Sequence, residues 1–144
     1  METVEDFFGR FAQMSNADDT VGLVNLFAPQ FLVGNAQGSQ VLSPPVLAHI
    51  IPKRKEMTDA LGCGKTMLRS VVETKFDDKF SGVATEWGWE VTPPGSAPFE
   101  VTVASTYIVE RVAERLQIVA YFAHGDIVAE AQRRSRGIDL PDGL

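Results

Sequence analysis

At 144 residues, 44% apolar and 22% charged, the chain is sized and composed for one globular domain with a substantial core. A net charge of −6 argues against a nucleic-acid partner, which selects for a basic face, and no apolar run approaches the ~20 residues of a membrane-spanning helix. Cys63 is the only cysteine, so an intrachain disulfide and a cysteine-built zinc site are both excluded.

The opening METVEDFFGRF is acidic and lacks a basic-then-apolar leader, which gives the expectation of a cytoplasmic protein. Val4, Phe7, Phe8, Phe11, Ala12 and Met14 recur at spacings of three and four and predict a first amphipathic helix. Ser15 to Asp19 breaks it. The Asp18-Asp19 pair can cap a second short helix with Val21, Val24, Leu26 and Phe27 on its apolar side, ending at Pro29.

Phe31-Leu32-Val33 and Ser39 to Leu42 read as two short strands across a turn. Ser43-Pro44-Pro45 opens a third helix through Leu47, Ile50, Met57 and Leu61, closed by Gly62 and kinked or split at Pro52. Its Lys53-Arg54-Lys55 run and His49 belong to the solvated side.

From Thr66 the period changes to two, giving strands over 66–76, 82–92, 99–111 and 115–125. A terminal helix over Ile127 to Arg134 follows, with Arg133, Arg134 and Arg136 near its C-terminus. Residues 1–136 form one domain in this reading, and 137–144 a loose tail.

Alternation and hairpin pairing sort the strands into two faces. A turn at Asp78-Lys79 sets Thr74 against Val83, and the inner face becomes Leu68, Ser70, Val72, Thr74, Phe76, Val83, Thr85, Trp87, Trp89 and Val91. Across the next hairpins it continues through Val101, Val103, Ser105, Tyr107, Val109, Leu116, Ile118, Ala120, Phe122 and His124. The helical stripes must cover this face, so the expected fold is α+β, a curved antiparallel sheet wrapped around N-terminal helices. Val119 and Tyr121 interrupt the polar outer face and suggest a homodimer contact there.

The element order, with Asn16-Ala17-Asp18-Asp19, Val24-Asn25-Leu26-Phe27-Ala28-Pro29 and Gln117-Ile118-Val119-Ala120-Tyr121-Phe122, resembles the nuclear transport factor 2-like superfamily over about residues 3–130. That superfamily includes ketosteroid isomerases, SnoaL-like polyketide cyclases and scytalone dehydratases. The resemblance implies a cystatin-like cone with an apolar pocket at one end. Matched to the isomerase pattern, Phe11 stands at the catalytic tyrosine, Asn35 at the general-base aspartate, and Tyr107 close to the second, protonated aspartate. The chain therefore departs from that mechanism at its acid and its base.

Polar groups on an apolar face must be hydrogen-bonded or face a cavity. His124 is the group able to exchange protons near neutral pH, with Tyr107 as donor. Asp126 is either its partner or the cap of the terminal helix. Asn35, Trp87, Trp89, Ser105, Phe122 and Phe11 would line a site for a hydrophobic small molecule. Two histidines on separate elements make a poor metal set, and no cofactor is implied. Two functions remain open: a SnoaL-like protein acting by proton transfer on a hydrophobic cyclic compound, or a non-catalytic dimerisation or interaction module of the same fold.

Overall fold

Helix α1 (Val4–Asn16) forms where the apolar stripe predicts it, with the Thr3 hydroxyl accepting from the Asp6 amide at 3.1 Å and two acidic residues in its first turn. Its last residue is pinned. Asn16 Nδ2 donates to the Thr66 carbonyl at 3.0 Å while its Oδ1 accepts from the Thr66 amide at 2.9 Å.

Helix α2 (Thr20–Val24) is capped by the Asp19 carboxylate, which accepts from the Gly22 amide at 2.9 Å. Phe27, expected on that helix, instead begins strand β1 (Phe27–Asn35). Pro29 lies within β1 at an irregularity between Phe27 and Leu32, where a residue without an N–H interrupts no ladder bond. β2 (Gly38–Leu42) folds back on β1. Helix α3 (Pro44–Ala60) is continuous through Pro52, where the sequence predicts a kink or two pieces. Ala48 and Pro52 are both exposed, so water can serve the carbonyl that Pro52 leaves unpaired.

The second half supplies β3 (Cys63–Lys75), β4 (Phe80–Val91), β5 (Phe99–Val112), β6 (Arg115–Ala123) and helix α4 (Ile127–Asp139). The strand order is β2-β1-β6-β5-β4-β3, with β1 parallel to β6 and every other pair antiparallel. The sheet is thus mixed and open rather than wholly antiparallel, and the first half of the chain contributes two of its six strands. This computed structural model describes residues 1–139. Residues 137–139 of the expected loose tail belong to α4, and the rest of that stretch lies outside the described residues.

Three local features decide which side chains face inward. At the β3–β4 turn the Asp77 carboxylate accepts from the Lys79 and Phe80 amides at 2.8 and 2.7 Å, which lengthens the loop and pairs Thr74 with Gly82 instead of Val83. The shift is one residue, so Ser70, Val72, Thr74 and Phe76 turn outward. A bulge between Leu68 and Ser70 then restores Leu68 opposite Trp87.

The third feature is a bulge in β6. Val109 pairs with Ile118 but Ile108 with Ala120, so Val119 is the extra residue and the alternation inverts beyond it. Leu116 and Ile118 face inward as expected. Tyr121 also faces inward, opposite Tyr107, while Ala120, Phe122 and His124 face outward, correcting the expectation for all four.

The β4–β5 pairing runs two residues from the expected one, with Trp89 opposite Val101. A shift of two leaves every side chain on its own face.

Two apolar clusters fill the inner side. One joins Val4, Phe7 and Phe8 of α1 and Leu23 of α2 to Val83, Trp87, Tyr107, Val109 and Ile118. The other packs Ile127, Val128 and Ala131 of α4 on Cys63, Val91 and Val101.

Candidate functional site

The inner wall around Tyr107 is built from aromatic rings in mutual contact. Phe8 lies 4.7 Å from Tyr107 between ring centroids, Phe11 lies 5.4 Å from Trp87 and 6.0 Å from Tyr107, and Tyr121 stacks on Tyr107 at 5.0 Å. Spacings of about 4.5–7 Å are those of packed aromatic pairs. Phe11 is therefore a packing residue of this wall.

Polar groups in this wall satisfy one another. The Trp87 indole Nε1 donates to Thr85 Oγ1 at 2.9 Å, and that hydroxyl donates to the Ser105 carbonyl at 3.1 Å. Thr85, Ser105 and Trp87 are all buried. Burial pushes the Tyr107 phenol well above its ordinary range, the neighbouring Tyr121 adds to the rise, and hydrogen bonds with Ser105 and Trp87 only partly offset it. Tyr107 is thus a protonated hydrogen-bonding group, not a proton source near neutrality.

The other expected site residues lie elsewhere. Asn35 sits at the tip of the β1–β2 hairpin, where its Oδ1 accepts from the Gln37 amide at 2.9 Å, an exposed turn rather than a pocket wall. Trp89 is half-buried between the two clusters. Phe122 lies on the outer face over Gly34, whose missing side chain makes room for its ring. His124 is exposed on that same outer face, with Nε2 2.7 Å from Thr106 Oγ1. Tyr107 and His124 are consequently on opposite sides of the sheet and cannot act on one substrate atom.

Asp126 takes the capping role. Its Oδ1 accepts from the Val128 amide at 2.9 Å and pairs with Arg54 of α3 at 3.0 Å. Burial raises this carboxyl, but the Arg54 guanidinium and the Val128 and Ala129 amides outweigh it, so the net shift is below the usual carboxylate range. Burial raises the Cys63 thiol, Asp59 adds to the rise and Lys55 opposes it, so the environment disfavours the nucleophilic thiolate.

Two open grooves of about 360 and 380 Å³ indent the surface, one beside Asn16, Lys65, Thr66 and Glu90, the other beside Arg10, Asn25, Arg115 and Gln117. Neither includes an expected site residue.

The outer face is the surface that the alternation assigned to charge and that the register changes alter. One cross-strand row runs Leu32, Ala120, Ile108, Gly82 and Thr74, flanked by Val41 on β2, and the next runs Gly34, Phe122, Thr106, Ala84 and Val72. Val41 and Val72 are 64% and 61% exposed, and the Phe76 ring, 59% exposed, lies against Gly82. Charge is confined to the margins, with Glu86 above these rows, the Arg69–Glu100 pair at one side and the Lys79–Glu110 pair below. The apolar strip crosses all six strands. The bulges at Arg69 and Val119 carry no local sequence signal, so alternation alone does not reveal this strip.

The architecture is that of helices packed on the inner side of an open, mixed sheet with a two-stranded extension. No family model matches the chain, and no curated protein matches it in sequence. Solved structures do match. Aln2 from a Streptomyces species superposes with a TM-score of 0.71 at 19% identity, covering 90% of this chain and 93% of its own. An NTF2-like protein with a cystatin-like fold from Novosphingobium aromaticivorans gives 0.70 at 13% identity, covering 89% and 84%. A Xanthomonas campestris protein named for the calcium/calmodulin dependent protein kinase II association domain gives 0.65 at 13%, covering 86% of each chain. The fold is thus the NTF2-like, cystatin-like one of these structures.

Proposed function

We propose that this chain works as a non-catalytic self-association module, forming a homodimer through the outer face of its sheet. The observation that carries this reading is the apolar strip across six strands, with Val41, Val72 and Phe76 each more than half exposed. A contiguous apolar surface of this extent marks an interaction site.

The occupant is a second copy because the patch is uncharged and runs the full width of the sheet. Five strand spacings of about 4.8 Å by the roughly four residues of about 3.3 Å that the two rows span between Glu86 and Glu110 give roughly 300 Å², the scale of a functional apolar patch on a monomer and of the apolar centre of an interface rather than its whole area. The patch is uncharged, so two copies of a chain carrying −6 can meet there without opposing like charges at the centre. Two sheets pack face to face about 10 Å apart, and a twofold arrangement makes the surface self-complementary. The kinase association domain in the name of one structural neighbour agrees with this reading.

A proton-transfer enzyme acting on a hydrophobic cyclic compound has less support. Its proposed acid and donor are on opposite faces, and the wall that would hold the substrate is filled by Phe8, Phe11, Trp87 and Tyr121 around Tyr107. The test is sedimentation of wild type and Phe122→Arg at matched concentration. Dimeric wild type and a monomeric, folded variant support the module. A variant that sediments like wild type removes the outer face from the interface.

A further inference from the structure

We infer that the Asn16 side chain guards the free edge of the sheet, occupying the place where an added strand would pair with β3. β3 stands at one end of the strand order and runs 13 residues. A free edge of that length presents a row of unpaired amides and carbonyls to any extended chain. At Thr66 the position is already filled. Asn16 Nδ2 donates to the Thr66 carbonyl at 3.0 Å and Asn16 Oδ1 accepts from the Thr66 amide at 2.9 Å. These are the two bonds that a residue on an antiparallel neighbour exchanges with its partner. A side-chain amide thus does at one residue what a seventh strand would do.

The rest of the edge is protected by other means. The Phe76 amide donates to the Phe80 carbonyl at 3.0 Å, toward β4, so by alternation Val71, Glu73 and Lys75 direct their backbone groups to the free edge. Glu73 turns inward, accepting from Ser81 Oγ at 2.7 Å, Lys75 shares its face, and the bulge at Arg69 breaks the regular strand. Bulges and inward-pointing charges are features that keep an edge from pairing. Between the irregularity after Cys63 and that bulge lies Thr66-Met67-Leu68, uncharged and regularly paired with β4. This is the stretch over which Asn16 stands. Asn16 is itself exposed, and an open groove of about 360 Å³ runs beside it along Gly64 to Met67, so an arriving chain has room to reach the strand.

The arrangement recurs at the other end of α1. Pairing of β1 with β6 begins at Phe27 and Ile118, which leaves the first residues of β6 uncovered on that side. There the Glu2 carboxylate accepts from the Leu116 amide at 3.2 Å and the Glu2 amide donates to the Glu114 carbonyl at 3.3 Å. A tether for α1 needs one bond to any group. Closing an edge needs a donor and an acceptor on one residue, which a carboxamide side chain supplies. With the amide removed, β3 of one copy can meet β3 of another about a twofold axis, a contact that closes on itself. The edge and the outer face are separate surfaces, so the guard holds whether or not the outer face forms a dimer.

The experiment is sedimentation equilibrium of the full chain carrying Phe122→Arg, alone and combined with Asn16→Ala, Asn16→Ser or Thr85→Val. Phe122→Arg alone is expected at the 15.7 kDa chain mass, and Asn16→Ala is expected to move toward twice that mass. Serine is too short to reach both Thr66 groups, so Asn16→Ser should do the same and carries the test if the alanine variant does not fold. Thr85→Val weakens the core with the edge closed and should match Phe122→Arg alone. If Phe122→Arg alone sediments above the chain mass, the outer-face reading fails, and the guard is read from the increase that the Asn16 variants add. Hydrogen exchange locates the contact: in the Asn16 variants the Thr66 amide should exchange about tenfold faster in dilute solution and regain protection as concentration rises. Asn16 variants that add no mass overturn the guard. So does Thr85→Val associating as strongly as they do, or a Thr66 amide whose protection does not return on association.

Discussion

Replacing Thr85 by Val separates a filled interior from a solvent-filled or ligand-sized cavity. Valine keeps the shape of threonine and removes only the hydroxyl, which accepts from the Trp87 indole at 2.9 Å and donates to the Ser105 carbonyl at 3.1 Å. Thr85 is 2% exposed and Trp87 5%, so in a packed wall no water reaches the orphaned groups. A buried polar group left without a partner costs about 1–3 kcal/mol. The carbonyl has a second lone pair and the indole keeps the Tyr107 phenol as a hydrogen-bonding neighbour, so the expected destabilisation is about 1–2 kcal/mol. For a chain of this length that is roughly 3–6 °C in Tm. Urea unfolding followed by circular dichroism, with an unchanged m-value, reads the effect. A loss below about 0.5 kcal/mol would show that water replaces the hydroxyl, and the filled-interior argument against a substrate cavity would fall.

Three further outcomes follow from the same geometry. Phe122→Arg is expected to lower the dimerisation constant by about 10²–10⁴-fold, since each copy loses the burial of one phenylalanine, about 1.5–3 kcal/mol; analytical ultracentrifugation checks it, and circular dichroism should show the fold intact. In that monomeric background, Val72→Lys should change stability by less than about 0.5 kcal/mol, whereas Val83→Ala, at a position with 0% exposure, should cost about 2 kcal/mol; equal costs would contradict the observed β3–β4 register. The Asp126 carboxyl, held below its ordinary range by Arg54 and the α4 amides against the opposing effect of burial, stabilises α4 above the unfolded carboxylate value and loses that contribution as pH falls through the folded one. Helical chemical shifts of Val128 to Glu130 should therefore decline only below about pH 4, and in Asp126→Asn they should be weaker at neutral pH and insensitive to acid.

Much of the architecture is legible in the sequence because periodicity carries it. The 3–4 spacing of Val4, Phe7, Phe8 and Phe11 gives α1, the change to period two at Thr66 gives four long strands, Asp19 reads as a cap and is one, and Asp126 takes the capping one of its two readings. Faces are harder, because alternation is a parity and one extra residue inverts it. The Asp77 turn, the Arg69 bulge and the Val119 bulge each add one, and nothing about a lone Arg or Val announces it. The Val119 insertion moves Phe122 and His124 out and Tyr121 in, which dismantles a site that pairs His124 with Tyr107. The parallel pairing of β1 with β6 is illegible for another reason. It joins segments about 90 residues apart, and β1 has to be long enough to reach from the α2 exit to the hairpin tip. The two-way bond between Asn16 and Thr66 is equally hidden, since an asparagine ending a helix reads only as a stop.

Mass in solution tests the central claim most directly. Sedimentation equilibrium of the wild-type chain at tens of micromolar and pH 8 should return twice the 15.7 kDa chain mass, converting to the single-chain mass in Phe122→Arg. A wild-type chain that sediments at 15.7 kDa across that concentration range would contradict the account.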